Sequence, residues 1–171
     1  MNIYLEKFIS GKFKKTGKAL DLGAGNFFDV ACLKQLGWKC EGVDKKMGVD
    51  LERLFISKNG PFDLVYSNYV MHKLKNKEQF IQIVYDNLRN GGWFFIHTFD
   101  QSDKNSNSDL SRDYLQRLLN KQGFKNIKIR LFNYYDNEEF HKHWHRILEA
   151  TGQRIAPKNR KRNRMSLKAI F

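Results

Sequence analysis

The chain has 171 residues, of which 41% are hydrophobic and 14% aromatic, enough for one domain with a buried core. No apolar run reaches the roughly 18 residues that a membrane span requires, and the first residues lack the charged-then-apolar order of a secretion signal. We therefore expect a soluble, cytoplasmic protein that does not bind membranes, with Cys32 and Cys40 as reduced core residues.

The formal net charge of +13 is concentrated at the end of the chain. Residues 153–171 contain no acid and seven cations: Arg154, Lys158, Arg160, Lys161, Arg162, Arg164 and Lys168. A segment of this kind is typical of a protein that binds a polyanion, or of a solvated tail. We expect a domain at residues 1–152, beginning with a helical lid segment at 1–17, and a basic tail at 153–171.

The first half alternates strand and helix. Lys18–Leu22 is a short apolar run that leads into a glycine turn. Residues 26–36 then have apolar residues at helical spacing, and Gly37 is placed to end that helix. Cys40–Val43 is predicted to be the second strand.

The middle of the chain repeats this order. Phe62–Val70 is predicted to be a strand, Lys77–Arg89 an amphipathic helix closed by Gly91 and Gly92, and Trp93–Phe99 another strand. These strands are apolar without alternation. That pattern indicates burial on both faces, as in a parallel sheet covered by helices.

The last third predicts a different arrangement. Asp100–Asp109 is a polar loop, and Ser111 is placed to cap a helix that ends near Gly123. Phe124–Leu131 and His143–Thr151 then face each other across NYYDNEEF, which we interpret as a turn-rich connection. Strands joined this closely are expected to be antiparallel. The predicted fold is an α/β sheet, mostly parallel, with helices on both faces and one reversed strand at the end.

The turn after the first strand is the main candidate for a ligand site. In open parallel sheets, ligands bind at the carboxyl ends of the strands, and the first strand-to-helix turn approaches them most closely. Gly23 and Gly25 allow positive φ and place no side chain between backbone and ligand. A dinucleotide fingerprint would have a third glycine where Phe28 stands, so this turn does not match it.

Carboxylates around this turn indicate the charge of the ligand. Asp21 precedes the turn, Asp44 ends the second strand and Asp50 follows a few residues later. At about 4 Å and an effective dielectric near 20, each contact between a diphosphate and a carboxylate would cost about 4 kcal/mol. A cationic ligand with a ribose diol fits better, because Asp44 has the reach to accept both hydroxyls.

Several motifs together resemble class I S-adenosylmethionine-dependent methyltransferases of the small stand-alone type. These motifs are ALDLGAG, EGVD, Asp50-Leu51, FDLVYSNYVMHKL and LRNGGWFFI, in family order over roughly residues 18–150. The resemblance implies S-adenosylmethionine as cofactor. It also implies a Rossmann-like three-layer sandwich with a seven-stranded sheet, mostly parallel, whose last strand is antiparallel.

The resemblance also assigns roles to residues. It implies that the methionine part of the cofactor lies against Asp21, Gly23, Ala24 and Gly25. Asp44 would hold the ribose with Lys45 beside it, Asp50 and Leu51 would frame the adenine, and Ser67 and Asn68 would face the ammonium. Phe27 stands where the family often has a third glycine, and we expect it to begin the helix and pack over the cofactor or against the N-terminal segment.

Three histidines, His141, His143 and His145, alternate along the last strand. Alternate strand residues share a face, which would suit a metal, but these three are spread over about 13 Å, too far for one tetrahedral ion. We expect a solvated strand start or a substrate-facing edge, and no metal.

His72 follows the third strand, and His97 lies near the end of the fourth strand. The sheet would open onto a substrate at both places, so either histidine is a candidate general base. The alternative is that His97 is a core residue and His72 a loop residue. Methyl transfer from a sulfonium can also proceed by alignment and desolvation alone, which leaves the catalytic residues unassigned.

The methyl acceptor is predicted to be a small molecule, because the Asn-Pro-Pro-Tyr type of motif is absent and the comparable residues are Ser67-Asn68-Tyr69-Val70. Two alternatives stay open. Residues 158–164, KNRKRNR, could bring RNA or another polyanion to the site, or the domain could bind the cofactor without catalysis. The sequence does not indicate an oligomeric state.

Overall fold

The computed structural model describes residues 1–138 and 141–156, and the cations of the basic tail from Lys158 onward lie outside the described residues. Four helices, six strands and two short 3-10 turns follow one another along the described chain. They are α1 (Ile3–Lys12), β1 (Lys18–Leu22), α2 (Phe28–Gln35), β2 (Lys39–Val43), a 3-10 turn (Lys45–Met47), β3 (Phe62–Asn68), a second 3-10 turn (Met71–Lys73), α3 (Lys77–Asn87), β4 (Leu88–Phe99), α4 (Arg112–Gln122), β5 (Lys125–Glu138) and β6 (His141–Gln153).

The six strands form one sheet in the order β2-β1-β3-β4-β6-β5. Strands β1 to β4 are parallel, whereas β6 runs antiparallel to both β4 and β5. The carboxyl ends of β1, β3 and β4 therefore lie at the same edge as the beginning of β6. The predicted α/β class, with a mostly parallel sheet whose last strand is reversed, is confirmed.

The seventh strand that the family resemblance implied is not among the described residues. Residues 44–61, which connect β2 to β3, contain only the 3-10 turn Lys45–Met47 and irregular structure. A further parallel strand here would need two crossovers, one to reach it and one to return to β3, and each crossover takes about a dozen residues or more. The sheet consequently ends at β2 on this side.

The hairpin of β5 and β6 is longer than the sequence indicates. Most of NYYDNEEF, interpreted above as a connection, continues β5 as far as Glu138. Cross-strand pairs hold this extension: Tyr134 lies opposite His145, and the rings of Tyr135 and Trp144 lie 5.2 Å apart between centroids. Asn and Asp residues favour turns locally, but pairing with β6 outweighs that preference.

Both faces of the sheet are covered. Alternate residues of β1 and β3 belong to different cores: Leu20 and Val65 pack with α3 and α4, whereas Ala19, Leu64 and Tyr66 pack with α1 and α2. This arrangement is the three-layer sandwich that the continuous apolar strands predicted. Among the described residues, no helix has the length and hydrophobicity needed to cross a membrane.

Some of the other predicted boundaries are confirmed, and those around the end of α3 are wrong. Ser111 caps α4 by accepting the Tyr114 N–H, and Gly37, with φ of +87°, follows the end of α2. The predicted helix to Arg89 ends instead at Asn87, because Leu88 already pairs with Phe62 as the first residue of β4. Gly91 and Gly92, predicted to close the helix, therefore lie within β4, which begins before Trp93.

Candidate active site

A cavity of about 630 Å³ opens at the carboxyl edge of the sheet. Its walls come from four places: the start of the chain, the glycine turn after β1, the ends of β3 and β4, and the hairpin of β5 and β6. The lining residues are Met1, Asn2, Ile3, Tyr4, Asp21, Gly23, Ala24, Gly25, Asn26, Phe28, Asp29, Asn68, Tyr69, Phe99, Tyr134, Asp136 and His145. Its volume lies within the range of small-molecule sites, about 300–1,000 Å³.

The two glycines of the turn serve different purposes. Gly23 has φ of +88°, and a Cβ there would lie 2.3 Å from Val70 Cγ2, so its lack of a side chain permits packing. Gly25 has φ of +54°, and a Cβ there would meet no heavy atom within 4 Å. Gly25 therefore presents bare backbone to open space inside the cavity, as a closely approaching ligand requires.

Phe27 has a backbone conformation that is typical of glycine. Its φ is +63°, the left-handed conformation that a residue with a side chain rarely adopts. The ring lies against β2, where a Cβ on Gly42 would come 2.9 Å from Phe27 Cε1. Phe27 lies at the start of α2 as expected. Its side chain packs into the core beside α1 and α2 rather than in the cavity.

Asp44 lies beside the cavity and supports the turn. Its Oδ1 accepts the Lys46 N–H and its Oδ2 accepts the Gly25 N–H, each at 3.0 Å. These backbone hydrogen bonds, with that from Lys46 the strongest, hold the pKa of Asp44 below its usual range. Asp44 is thus an ionised carboxylate fixed against the glycine turn.

Asp21 is a buried acid on the cavity wall, with only 4% of its surface exposed. Burial raises its pKa well above the ordinary value, and the charges of Asp29 and Asp44 raise it further, against a hydrogen bond from Tyr66 that lowers it. Three acidic side chains, Asp21, Asp29 and Asp44, therefore lie close enough to influence one another, and the Met1 ammonium lies 3.9 Å from Asp29 Oδ1. A cationic ligand would stabilise the ionised form of Asp21.

Asp29 and Asn68 extend the polar wall from the glycine turn to the end of β3. Asn68 Nδ2 donates to Asp29 Oδ2 at 2.8 Å, and the Asn2 N–H donates to Asp29 Oδ1 at 3.0 Å. Asn2 also caps α1, because its Oδ1 accepts the N–H groups of Tyr4 and Leu5. The sequence analysis assigned no role to Asp29, since nothing in its local pattern distinguishes it from a solvated helix acid.

Five of the residues assigned to the cofactor lie outside the cavity walls, and Asp44, described above, is one of them. Lys45 is exposed on its 3-10 turn, and Asp50 accepts the Glu52 N–H within its own loop. Leu51 is buried in the core beside α3 and α4. Ser67 is buried and donates its hydroxyl to the Leu22 carbonyl at 2.7 Å, which joins β3 to β1 just before the glycine turn.

His97 is fully buried, and its surroundings do not suit a general base. Its Nδ1 lies 3.0 Å from Asn2 Nδ2, a donor group, so Nδ1 accepts and Nε2 carries the proton. Burial, with a smaller effect of the Arg130 charge, lowers the pKa of His97 to about 3. Rings of Tyr4, Tyr69 and Phe132 lie within 6.0 Å of it, between centroids.

His72 lies just behind the cavity rather than on its wall. Its Nδ1 is 3.2 Å from Thr98 Oγ1, and the residue is 9% exposed. Burial, supported by the nearby charges of Lys73 and Lys77, lowers the pKa of His72 to about 4. Both candidate bases from the sequence are therefore neutral, internally bonded side chains that do not line the cavity.

The other half of the cavity is aromatic. Tyr69, Phe99 and Tyr134 contribute rings, and Asp136 and His145 contribute polar groups. Tyr69 has φ of +58°, and its N–H donates to the His97 carbonyl. A tyrosine held in this conformation costs about 1–2 kcal/mol, and such strain is typical of functional sites.

His145 and Asp103 form a pair that the sequence analysis missed. His145 Nδ1 lies 3.0 Å from Asp103 Oδ2, and Asp103, in the loop predicted above to be polar, is only 5% exposed. Burial acts to raise the pKa of Asp103, but hydrogen bonds from the Arg146 and Asn105 N–H groups and from His145 outweigh it and lower the pKa. Of the two histidines on this strand whose side chains are described, His143 and His145, only His145 lines the cavity.

No group of three or more His, Cys, Asp or Glu side chains within residues 1–138 and 141–156 is arranged to hold a metal ion. His141 contributes no described side chain, so the predicted spacing of the three imidazoles is not tested.

Similar solved structures are methyltransferases. The chain aligns over 91% of its length with 53% of phosphoethanolamine N-methyltransferase 2 from Haemonchus contortus, a complex with S-adenosyl-L-methionine, at 15% identity and a TM-score of 0.66. It therefore spans about half the length of that protein. It aligns over 91% of its length with 82% of the 1,6-didemethyltoxoflavin-N1-methyltransferase from Burkholderia thailandensis, at 16% identity and a TM-score of 0.66.

A third structure is an S-adenosylmethionine-dependent methyltransferase from Mesorhizobium loti, with 86% of this chain aligned to 96% of that one at 15% identity and a TM-score of 0.66. At these identities the similarity establishes the fold. A search of curated proteins by sequence finds no match. The model of one family, described as a methyltransferase domain, matches residues 4–152, most of the chain. The protein thus belongs to the methyltransferase domain family.

Proposed function

We propose that the cavity binds S-adenosylmethionine and that the protein transfers its methyl group to a small-molecule acceptor. The observation that carries this proposal is the division of one cavity into two chemically different halves. The glycine turn with Asp21 and Asp29 forms the acid-rimmed half. The rings of Tyr69, Phe99 and Tyr134, together with His145, form the aromatic half.

The residues of the first half fit the cofactor. Gly25 leaves its side of the cavity open, and the ionised Asp44 beside it has the hydrogen-bonding capacity to accept ribose hydroxyls. Asp21 and Asp29 line the cavity where the ammonium and sulfonium would lie, and a cationic ligand would favour the ionised form of Asp21. When bound, S-adenosylmethionine supplies a methyl group activated by its positively charged sulfur.

The protein's own contribution to such a reaction is alignment and the exclusion of water. Residues Met1 to Tyr4 line the cavity, and the Asn2 N–H fixes this segment to Asp29. A methyl acceptor held in the aromatic half would face the cofactor across the cavity. Placing the two reactants at a fixed separation removes much of the entropic barrier, and a desolvated nucleophile attacks a sulfonium more readily.

A small acceptor is favoured over a nucleic acid by the shape of the site. The aromatic half is part of a cavity of about 630 Å³ whose walls include the start of the chain. Two similar structures contain small acceptor molecules, phosphomonomethylethanolamine in one and 1,6-didemethyltoxoflavin in the other. RNA methylation aided by residues 158–164 is the second candidate, supported by the basic composition of that segment.

Transfer of tritium from methyl-labelled S-adenosylmethionine distinguishes these functions. The purified protein would be incubated with the labelled cofactor and either a crude metabolite extract or total RNA, with excess unlabelled S-adenosylhomocysteine as a competition control. We expect label in low-molecular-weight products. Label in RNA would replace the small-molecule assignment, and cofactor binding without any labelled product would indicate a protein that does not catalyse methyl transfer.

A further inference from the structure

The hydrogen bond between Asp103 and His145 determines which nitrogen of His145 can react. Asp103 is an ionised carboxylate that only accepts hydrogen bonds, so His145 Nδ1 must carry the proton that it donates. In the neutral ring the other nitrogen, Nε2, then has a free electron pair. His145 lines the cavity, and Nε2 is the nitrogen left for a ligand there.

Asp103 is held firmly enough to fix this arrangement. Its Oδ2 also accepts the Arg146 N–H, and its Oδ1 accepts the Asn105 N–H. Its side chain has no exposed surface. A buried carboxylate bonded to an imidazole orients the ring and stabilises the cation that forms when the ring takes up a proton.

His97 has the opposite arrangement. Its Nδ1 accepts from Asn2 and its Nε2 carries the proton, so the ring has no free electron pair to offer. His97 Nε2 finds no hydrogen-bond partner among the described atoms. Of the two histidines, only His145 combines a free nitrogen, a carboxylate partner and a place on the cavity wall.

The surroundings of His145 suit a cationic substrate. The rings of Tyr69, Phe99 and Tyr134 and the carboxylate of Asp136 line the same half of the cavity. Aromatic faces and a carboxylate attract ammonium groups. The titratable groups near His145 are Asp103 from the loop after β4, His143 on its own strand, with ring centroids 4.5 Å apart, and Tyr134 and Asp136 on the neighbouring strand β5.

We propose that the methyl acceptor is a small primary amine and that His145 Nε2 takes the proton that its ammonium must lose, with Asp103 as the positioning residue. This inference rests on the methyltransferase function proposed above. The N–H bond of the ammonium breaks and an Nε2–H bond forms. The freed nitrogen pair then attacks the methyl carbon, the carbon–sulfur electrons return to sulfur, and the imidazolium releases its proton to solvent.

The tautomer of His145 can be measured without a substrate. Long-range proton–nitrogen correlation NMR on the ¹⁵N-histidine-labelled protein, saturated with S-adenosylhomocysteine at pH 8, separates the two neutral tautomers. The His145→Asn variant identifies the signal. We expect a proton on Nδ1 and none on Nε2, and the reverse tautomer would overturn the proposal.

The substrate class is tested with pairs of probes that differ in the reacting atom. Benzylamine and phenethylamine would be compared with benzyl alcohol and phenethyl alcohol, each with methyl-labelled S-adenosylmethionine. We expect label in the amines alone. Label in the alcohols, or in none of the four by a protein that binds S-adenosylhomocysteine, would overturn the amine assignment, whereas failure to bind S-adenosylhomocysteine would instead refute the proposed function.

The role of His145 as a base is tested by pH. His145→Asn should lower kcat for the labelled amine by about 10²- to 10⁴-fold near neutral pH, with S-adenosylhomocysteine affinity unchanged. The loss should shrink as pH approaches the pKa of the amine itself, because the amine then arrives without its extra proton. Lys142→Ala, at an exposed position of the same strand outside the cavity wall, is the control and should retain activity. An equal loss at every pH would show a structural role and overturn the proposal.

Discussion

Replacement of Gly25 by alanine separates ligand approach from backbone strain. Gly25 has φ of +54° and open space where a Cβ would be, and it lines the cavity. The alanine variant should therefore fold, with a methyl group that projects toward the methionine part of the cofactor. Gly123 is the matched control, because it also has positive φ, +94°, and open space, but it ends α4 away from the cavity.

The expected magnitudes follow from these two environments. Left-handed backbone costs an alanine about 1–2 kcal/mol, so both variants should lower Tm by about 2–8 °C for a domain of this size. Only Gly25→Ala adds a methyl group against the ligand. Overpacking of one methyl typically costs about 1–3 kcal/mol. That cost corresponds to about 5- to 150-fold weaker binding of S-adenosylhomocysteine.

The assay is isothermal titration calorimetry with S-adenosylhomocysteine, combined with thermal unfolding of both variants. Gly123→Ala should bind like the wild-type protein despite its lower Tm. If Gly25→Ala also bound with unchanged affinity, the cofactor would not approach this turn, and the assignment of the acid-rimmed half to the methionine part would be refuted.

Three further substitutions test the acids and the packing of the turn. Because folding raises the pKa of Asp21, the stability of the protein falls as pH rises from the unfolded-state pKa through the folded-state pKa. Asp21→Asn should therefore raise Tm at pH 8, and this gain should disappear near pH 3. The same variant should bind S-adenosylmethionine about tenfold more weakly. A Tm unchanged at pH 8 would contradict this reasoning. Asp44→Ala removes the acceptor of the Gly25 N–H and should weaken cofactor binding by more than about tenfold, so unchanged calorimetric affinity would count against a ribose role. Gly42→Ala would place its Cβ 2.7 Å from Ala24 Cβ and should cost about 1–3 kcal/mol in urea unfolding, and a loss below about 0.5 kcal/mol would show that the turn can move away.

The glycine turn was predictable because its information is local. A strand, two glycines and a helix follow one another within Lys18–Gln35, and positive φ at Gly23 and Gly25 is a property of those residues themselves. Asp21 and Asp44 could be placed beside the turn because parallel strands bring their carboxyl ends to one edge. Phe27 shows the limit of this reasoning, since a phenylalanine takes the backbone conformation that favours glycine when its ring is packed against β2.

The ends of the helices and strands were less predictable than their presence and order. Asn and Asp in NYYDNEEF favour a turn when each residue is considered alone, but β5 continues through most of this segment because β6 pairs with it. The family resemblance likewise implied a seventh strand, whereas the short connection in residues 44–61 forms no strand. In both places a partner strand, or its absence, decided the structure.

The sequence by itself determined the alternation of strands and helices, the reversed last strand and the acid-rimmed glycine turn, since periodicity, glycine conformation and charge act over a few residues. Only the tertiary structure decided which histidine could react. Asp103 and His145 are far apart in sequence and meet because antiparallel β6 returns to the edge where the loop after β4 begins. Hydrogen bonds keep Asp103 a carboxylate despite its burial, whereas burial lowers the pKa values of His97 and His72, and no local pattern of residues contains these distinctions.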